Sequence, residues 1–218
     1  MEIIKSILFG IVHSLAEFLP LSSSGHVSLI THFGGASTEL SCLYSAMLHM
    51  GSLVSVLCVF CKPIYELFEE FFNIIKDISA KKFTFKIKEM SELRRYFFLL
   101  TISFLPLIIL FIPVGNGQVL WDLVSVFSHD NSIKAEGVCF ALSGFLLLVT
   151  SVYCKNEKRF MKIVPFSALI IGVAQLIAIC FPGFSRIGLI VCVALLCNIS
   201  KRNAIQYAFL LSVPAIFV

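Results

Sequence analysis

The feature that most constrains this chain is a set of long apolar runs that contain no charged side chain. Residues 40–61, 97–114 and 138–154 lack Asp, Glu, Lys and Arg, and each is about as long as a bilayer crossing requires. Hydrophobic residues make up 58% of the sequence and charged residues only 14%, which is typical of a chain surrounded by lipid. The runs therefore predict three spanning helices in an all-α, polytopic integral membrane protein, with a single membrane domain over residues 1–218.

The basic residues predict the orientation of this domain. Fourteen of the 17 Lys and Arg residues fall in three segments, residues 62–96, 155–162 and 201–202. Because the cytoplasmic loops of membrane proteins carry the excess of basic residues, we expect these segments in the cytoplasm. The loop of residues 115–137 has one basic residue, Lys134, against three acidic residues, and we expect it outside.

Residues 65–78 alternate apolar and charged side chains at helical spacing. This pattern agrees with an amphipathic helix that lies on the membrane surface. It agrees equally with a solvated connector close to the membrane, and the sequence leaves the two interpretations open.

Two further segments are apolar but too interrupted to be ordinary spans. In the first, the apolar stretch before Pro20 covers only about two-thirds of a bilayer crossing, and the polar run SSSG separates it from a second short piece. Residues 1–33 therefore predict a re-entrant helix-loop-helix hairpin. Residues 163–200 predict a second hairpin of this kind, broken by PGFSRIG.

An apolar helix follows each predicted hairpin. Residues 40–61 follow the first hairpin, and residues 204–218 follow the second as the start of a last spanning helix, which we expect to be cut short at the C-terminus. The loop charges give the two units opposite orientations, so the pattern predicts inverted repeats. In transporters built this way the breaks meet near the membrane midplane, and we expect a shared site here.

Two ionisable residues, Glu17 and Arg186, lie inside the broken units. Charged groups within a membrane are costly and usually mark a functional site. A purely structural ion pair that links the two halves is the alternative.

Hydroxyl groups stand beside both breaks. Three serines, residues 22–24, precede Gly25, and Ser185 precedes Arg186. Hydroxyls and backbone N–H groups at a helix start can donate to an anion, although such a run also suits a helix cap. The planar guanidinium of Arg186 matches phosphate geometry, so both loops predict phosphate binding.

His26 and Glu17 add acid–base capacity to the first loop. A histidine close to a serine can act as general base or as nucleophile, and a carboxylate can orient it, bind a cation or donate a proton. His13 lies one turn before Glu17 and is a further candidate for the same cavity, whereas His32 and His49 are interpreted as ordinary helix residues. Phosphate among such groups favours hydrolysis over transport.

The stretch HSLAEFLPLSSSGH, which ends at His26, resembles a motif of the undecaprenyl-diphosphate phosphatase family, also called the bacitracin-resistance family. That motif reads E/Q-G-x-T-E-F-L-P-I/V-S-S-S/T-G-H. The stretch PGFSRIG is similar to the second family motif, P-G-x-S-R-S-G. This chain departs from the motifs at His13, where the family has an acidic residue or Gln, and at Ser14, Ala16 and Ile187.

The resemblance implies an enzyme that hydrolyses undecaprenyl diphosphate to undecaprenyl phosphate and inorganic phosphate. It implies a multi-pass protein of the bacterial inner (plasma) membrane that acts at the outer face and recycles the lipid carrier for cell-wall synthesis. The implied catalytic residues are Glu17, Ser23, His26 and Arg186. The implied phosphate-binding residues are Ser22, Ser24, Gly25, Gly183 and Ser185, with His13 as an accessory.

Several points stay open at the level of sequence. The nucleophile is Ser23 or His26, and the cofactor is unknown, with a divalent cation such as Mg²⁺ or Ca²⁺ as the candidate. The expected partners are a polyprenyl diphosphate and membrane lipids, not nucleic acid, and a homodimer is an open alternative. The competing function is a membrane anion or phospholipid transporter, which would need Arg186 and the hydroxyls but not the acid–base pair.

Overall fold

The structure, a computed structural model, describes residues 2–23, 25–26, 29, 38–81, 90–115, 117–128, 133–154, 162–181 and 183–216. Nearly all of these residues are helical, which confirms the all-α, polytopic membrane fold. The α-helices in this part of the chain are α1 Glu2–Phe18, α2 Thr38–Val59, α3 Cys61–Ser79, α4 Glu92–Phe104, α5 Leu120–Ser128, α6 Ile133–Tyr153, α7 Pro165–Cys180, α8 Arg186–Leu196 and α9 Lys201–Ala215.

Among the described residues, two helical segments are each long and apolar enough to cross a membrane, Glu92–Phe111 and Lys134–Tyr153. They contain most of the predicted spans 97–114 and 138–154. The first changes from α-helix to a 3-10 helix at Leu105–Phe111, where Pro106 cannot donate the backbone hydrogen bond of an α-helix. Their placement across the bilayer stays a prediction.

A short β-hairpin follows this 3-10 helix. Its strands, β1 Pro113–Gly115 and β2 Gln118–Val119, pair antiparallel with Pro113 opposite Val119 and Gly115 opposite Gln118. The Asp122 carboxylate accepts a hydrogen bond from the Val119 backbone at 2.8 Å, at the start of α5. Strand β2 lies in the predicted outside loop, residues 115–137, whereas β1 begins in the last two residues of the predicted span 97–114.

Helix α3 contains the whole amphipathic stretch 65–78. Its axis is bent by 83° from the part of α2 that precedes it, and the two helices are long and apolar enough to cross a membrane only when they are taken together as one bent pair. One face of α3 exposes Tyr65 and Phe68, while Arg94 of α4 bonds Glu70 at 2.5 Å and Asp77 at 2.7 Å on another face. An exposed aromatic face at this angle agrees with a helix that lies on a membrane surface.

The exterior of the helices is strongly apolar. On α6, for example, Phe145, Leu148 and Val152 are each about two-thirds exposed, at 65%, 67% and 68%. Water would penalise such a surface, whereas lipid tails contact it at no cost. The exposed faces therefore agree with a chain surrounded by lipid.

The core lies where α4, α7, α8 and α9 pack together. At its centre the fully buried Tyr207 hydroxyl lies 2.7 Å from both the Leu99 carbonyl and the Ser103 hydroxyl. The Ser103 hydroxyl in turn lies 2.7 Å from the Ala168 carbonyl. The two hydroxyls thus connect α9, α4 and the first turn of α7 within an otherwise apolar core.

The segment of the second predicted hairpin contains α7 and α8, which pack against each other, and its re-entrant placement in the bilayer stays a prediction. The first is described only in part, because residues 27–28 and 30–37 lie outside the described residues. Its first arm is α1, and its break begins after Phe18. The exact bounds 1–33 and 163–200 stay predictions.

Candidate active site

The two breaks lie against each other. A Cβ atom added at Gly188, in the first turn of α8, would stand 3.1 Å from the carbonyl oxygen of Pro20 in the first break. Arg186, the first residue of α8, lies 3.3 Å from Glu17 Oε1 through one guanidinium nitrogen. Its other terminal nitrogen donates to the Ala215 carbonyl at 3.1 Å. The end of α1, the start of α8 and the end of α9 therefore meet at one guanidinium group.

Glu17 is the most connected group of the site. Its side chain is buried, Oε1 faces Arg186, and Oε2 accepts a hydrogen bond from the Ser23 hydroxyl. The ion pair between Glu17 and Arg186, which the sequence suggested as a structural alternative, is therefore present. Its carboxylate also accepts the hydrogen bond from Ser23. A carboxylate in this position can accept the serine proton.

The loop after Glu17 orients His26. The Ser22 hydroxyl accepts a hydrogen bond from the Gly25 N–H at 3.2 Å, and His26 Nδ1 lies 2.7 Å from the Ser22 carbonyl. Because a carbonyl only accepts, Nδ1 carries the proton and Nε2 is the basic nitrogen. Phe140 of α6 packs edge-on against the imidazole, with ring centroids 5.2 Å apart.

Two glycines of the predicted phosphate pocket have steric reasons to be glycine. A Cβ atom at Gly25 would overlap the Phe140 ring. Gly183 has a φ of 96°, which side chains rarely adopt, and its Cβ would stand 2.7 Å from the Glu136 carbonyl. Both residues therefore allow close approach of α6 to the breaks.

Ser185 shapes the second break as a helix cap. Its hydroxyl accepts a hydrogen bond from the Gly188 N–H at 3.0 Å, and its own N–H donates to the Ser143 hydroxyl at 3.3 Å. The hydroxyl proton can still donate to an anion. Ile187, which replaces a family serine, is buried in the apolar core, and Ser24 lies outside the described residues.

His49 is the site residue that the sequence interpretation missed. Its Nδ1 stands 3.8 Å from Glu17 Oε2, and its ring packs edge-on against His13 at a centroid distance of 4.8 Å. His13 is 1% exposed, and neither ring nitrogen has a hydrogen-bond partner among the described residues. The rule that marked Glu17 and Arg186, an ionisable group within an apolar run, also marks His49.

His13, Glu17 and His49 form a group of donor atoms that lie within 4.8 Å of one another. Mg²⁺ and Ca²⁺ prefer six or more oxygen ligands. This group offers two imidazoles and one carboxylate, so it does not fit the Mg²⁺ or Ca²⁺ suggested by the sequence.

Comparison with known proteins gives a consistent result. The family model described as bacitracin resistance protein BacA matches residues 6–218. An undecaprenyl-diphosphatase of Methanococcus maripaludis is 34% identical over 98% of this chain and 75% of its own length. Proteins of the same name from Halothermothrix orenii and Thermotoga maritima are 35% and 32% identical, over 100% and 96% of this chain and 73% and 74% of their own lengths.

Proposed function

This chain belongs to the bacitracin resistance protein BacA family, and from that premise we propose that it hydrolyses undecaprenyl diphosphate to undecaprenyl phosphate and inorganic phosphate. It is a membrane enzyme of the undecaprenyl-diphosphatase class. The observation that carries the site assignment is the chain of contacts from Arg186 through Glu17 to Ser23. Those contacts join a phosphate-binding cation, a base and a nucleophile across the two breaks.

Arg186 binds the diphosphate in this proposal. A guanidinium has five N–H donors, and two of its nitrogens already contact Glu17 and Ala215. These contacts fix the orientation of the group, so less freedom is lost when the remaining donors bind phosphate oxygens. The N–H groups at the start of α8 lie beside the same point and also favour an anion.

Ser23 is the nucleophile that the geometry favours. Its oxygen attacks the terminal phosphorus while its proton moves to Glu17 Oε2, and the bond to the bridging oxygen breaks to release undecaprenyl phosphate. Water then hydrolyses the phosphoserine and releases inorganic phosphate. His26 Nε2 is the base for this water, and it is also the competing nucleophile.

An apolar groove between α1 and α2 suits the prenyl chain of the substrate. Two of its lining residues, Ser14 and Leu48, directly follow His13 and precede His49 in the sequence. The groove is lined by Ile7, Gly10, Ile11, Ser14, Leu15, Met47, Leu48 and Gly51. A polyprenyl diphosphate has both the charged head and the apolar tail that these adjoining surfaces bind.

Phosphate release from undecaprenyl diphosphate by the purified protein tests the enzyme against the transporter. We expect release by the wild type and a loss of roughly 100-fold or more in His26→Ala, since positioned proton transfer is typically worth that much. Phosphate binding without release by the wild type would support the transporter.

The identity of the nucleophile is tested by trapping the phosphorylated enzyme. A phosphoserine is stable to acid and labile to base, and a phosphohistidine shows the reverse. We expect acid-stable labelling that disappears in Ser23→Ala and persists in His26→Ala. Acid-labile labelling would make His26 the nucleophile.

We further propose that the reaction takes place at the outer face of the bacterial inner membrane and recycles the lipid carrier for cell-wall synthesis. The charge distribution of the loops supports this orientation. Cysteines introduced in residues 115–137 should react with an impermeant thiol reagent in intact cells, and cysteines in residues 62–96 should not. The reverse labelling pattern would contradict the outer-face proposal.

A further inference from the structure

We infer that His13, Glu17 and His49 bind a divalent transition metal of the zinc class, not Mg²⁺ or Ca²⁺. The proposed reaction uses only Glu17 of these three residues. Metal binding itself does not depend on the proposed function, and only a role in catalysis would rest on it.

The geometry brings three ligands together from two helices. Glu17 and His13 lie one turn apart on α1, and His49 of α2 faces them, so that all three donor atoms lie within 4.8 Å. Tetrahedral zinc has bonds of about 2.0–2.1 Å and therefore ligand atoms about 3.3 Å apart. His49 Nδ1 and Glu17 Oε2, at 3.8 Å, are already close to that spacing.

The burial of His13 supplies an independent observation. Its ring is 1% exposed, and both of its nitrogens lack a hydrogen-bond partner among the described residues, as does His49 Nδ1. A buried polar group without a partner is unfavourable. A metal ion would provide a partner for one nitrogen of each ring.

The donor set decides the class of metal. Imidazole is a good ligand for Zn²⁺ and its neighbours in the first transition row, whereas Mg²⁺ and Ca²⁺ prefer oxygen. Two imidazoles with one carboxylate also match catalytic zinc sites, which use three protein ligands and keep one position for water or substrate.

The positive charge of Arg186 is the main opposing effect. Its guanidinium lies 3.3 Å from Glu17 Oε1, whereas His49 faces Oε2. The cation and the metal thus use different oxygens of one carboxylate. The Ser23 hydroxyl, which donates to Oε2, would share that oxygen with the metal.

Cobalt and zinc binding to the purified full-length protein test the site. We expect about one Co²⁺ per chain, with the visible absorption of a tetrahedral nitrogen–oxygen site, displacement by Zn²⁺, and no displacement by excess Mg²⁺. Thermal stability should rise with Zn²⁺, because a ligand of the native state stabilises it. Absence of the cobalt spectrum, or its displacement by Mg²⁺, would overturn the inference.

Two variants assign the ligands. His13→Gln introduces a residue that the family motif allows at this position, and His49→Gln removes the other imidazole. Each should weaken Co²⁺ binding by at least about 10-fold, since even partners of metal ligands matter that much. Wild-type Co²⁺ affinity in both folded variants would refute the site, and circular dichroism verifies the fold.

His26→Gln is the matched control, because it removes a nearby imidazole that lies outside the cluster. We expect it to bind Co²⁺ like the wild type although it loses phosphatase activity. Metal binding by a wild-type protein without phosphatase activity would contradict the proposed function and support the metal site. Equal loss of Co²⁺ binding in His26→Gln would contradict the assignment of the ligands.

Discussion

The break after α1 and the break after α7 follow one sequence frame but contribute different chemistry. Aligned on their prolines, residues 10–26 read GIVHSLAEFLPLSSSGH and residues 172–188 read GVAQLIAICFPGFSRIG. The identical pairs are Gly10 and Gly172, Ala16 and Ala178, Pro20 and Pro182, and Ser23 and Ser185. Among the shared residues, the alanines and prolines lie at or near the end of each first arm, whereas the acid, the imidazoles and the guanidinium each occur in one repeat only.

The aligned serines Ser23 and Ser185 also make different hydrogen bonds. Ser23 donates its hydroxyl proton to Glu17, whereas Ser185 caps α8 by accepting from the Gly188 N–H. In the first break the cap is Ser22, one residue earlier in the alignment. The turn around Pro20, with Leu21 N–H 2.6 Å from the Leu19 carbonyl, is shorter than the turn that contains Gly183. Because the cap of the first break stands one residue earlier, the Ser23 hydroxyl is not used as a cap and donates to Glu17 instead.

The comparison extends to one polar residue inside each first arm. His13 and Gln175 occupy equivalent positions, and both are fully buried with side-chain polar atoms that lack partners among the described residues. His13 faces His49 and Glu17. The first repeat therefore has an imidazole, a possible metal ligand, at the position where the second repeat has an amide.

The largest expected difference lies between Ser23→Ala and Ser185→Ala. Removal of a nucleophile should lower phosphate release by at least about 1,000-fold. Removal of the cap should cost about 1 kcal/mol of unfolding free energy and lower activity much less. Phosphate release measures the loss of activity, and unfolding in detergent measures the loss of stability. Equal loss of activity in both variants would contradict the assignment of Ser23 as nucleophile and Ser185 as helix cap.

The next largest effect concerns the acid–base pair of the first break. Glu17→Gln should lower phosphate release by roughly 100-fold or more, as should His26→Ala. The double variant should lose little beyond the worse single variant, because groups that act as one unit are not additive. Ile179→Leu, at the position equivalent to Glu17, is the control and should keep wild-type activity. Fully additive losses would indicate that the two groups act independently.

Arg186→Lys should lower phosphate release about 10-fold or more. Lysine keeps the positive charge but loses the planar fork that contacts Glu17 and Ala215. Substrate titrations separate a weaker binding from a slower reaction. Unchanged activity would show that the ion pair is structural and that the second break does not bind the phosphate.

The smallest effects separate the two glycines. Gly183→Ala should lower the unfolding free energy by about 1–3 kcal/mol, because φ is 96° and the neighbouring Glu136 carbonyl is backbone. Gly25→Ala should cost less, because the Phe140 ring can rotate away from the added methyl. Thermal unfolding in detergent ranks the two variants, and the opposite order would contradict a stricter requirement for glycine at position 183 than at position 25.

Much of the fold could be predicted from the sequence because the responsible effects are local. Because a charged side chain is costly in lipid, the charge-free apolar runs indicate the spanning helices, and the polar interruptions indicate both breaks. The same rule selected Glu17 and Arg186, and the resemblance to the family motif selected Ser23 and His26. For residues 65–78 the sequence left a surface helix and a solvated connector open, and the structure has a helix there, which is part of α3.

Only the tertiary structure decided which of these groups touch. The contact of Arg186 with Glu17 spans 169 positions of the chain. The Ala215 carbonyl also accepts from Arg186, and nothing in the sequence around Ala215 indicated this contact. His49 looked like an ordinary helix residue until the packing of α2 on α1 placed it beside Glu17. Helix formation depends on neighbours in the chain, but these distances depend on how whole helices pack, and that packing is set by contacts that a single sequence does not specify.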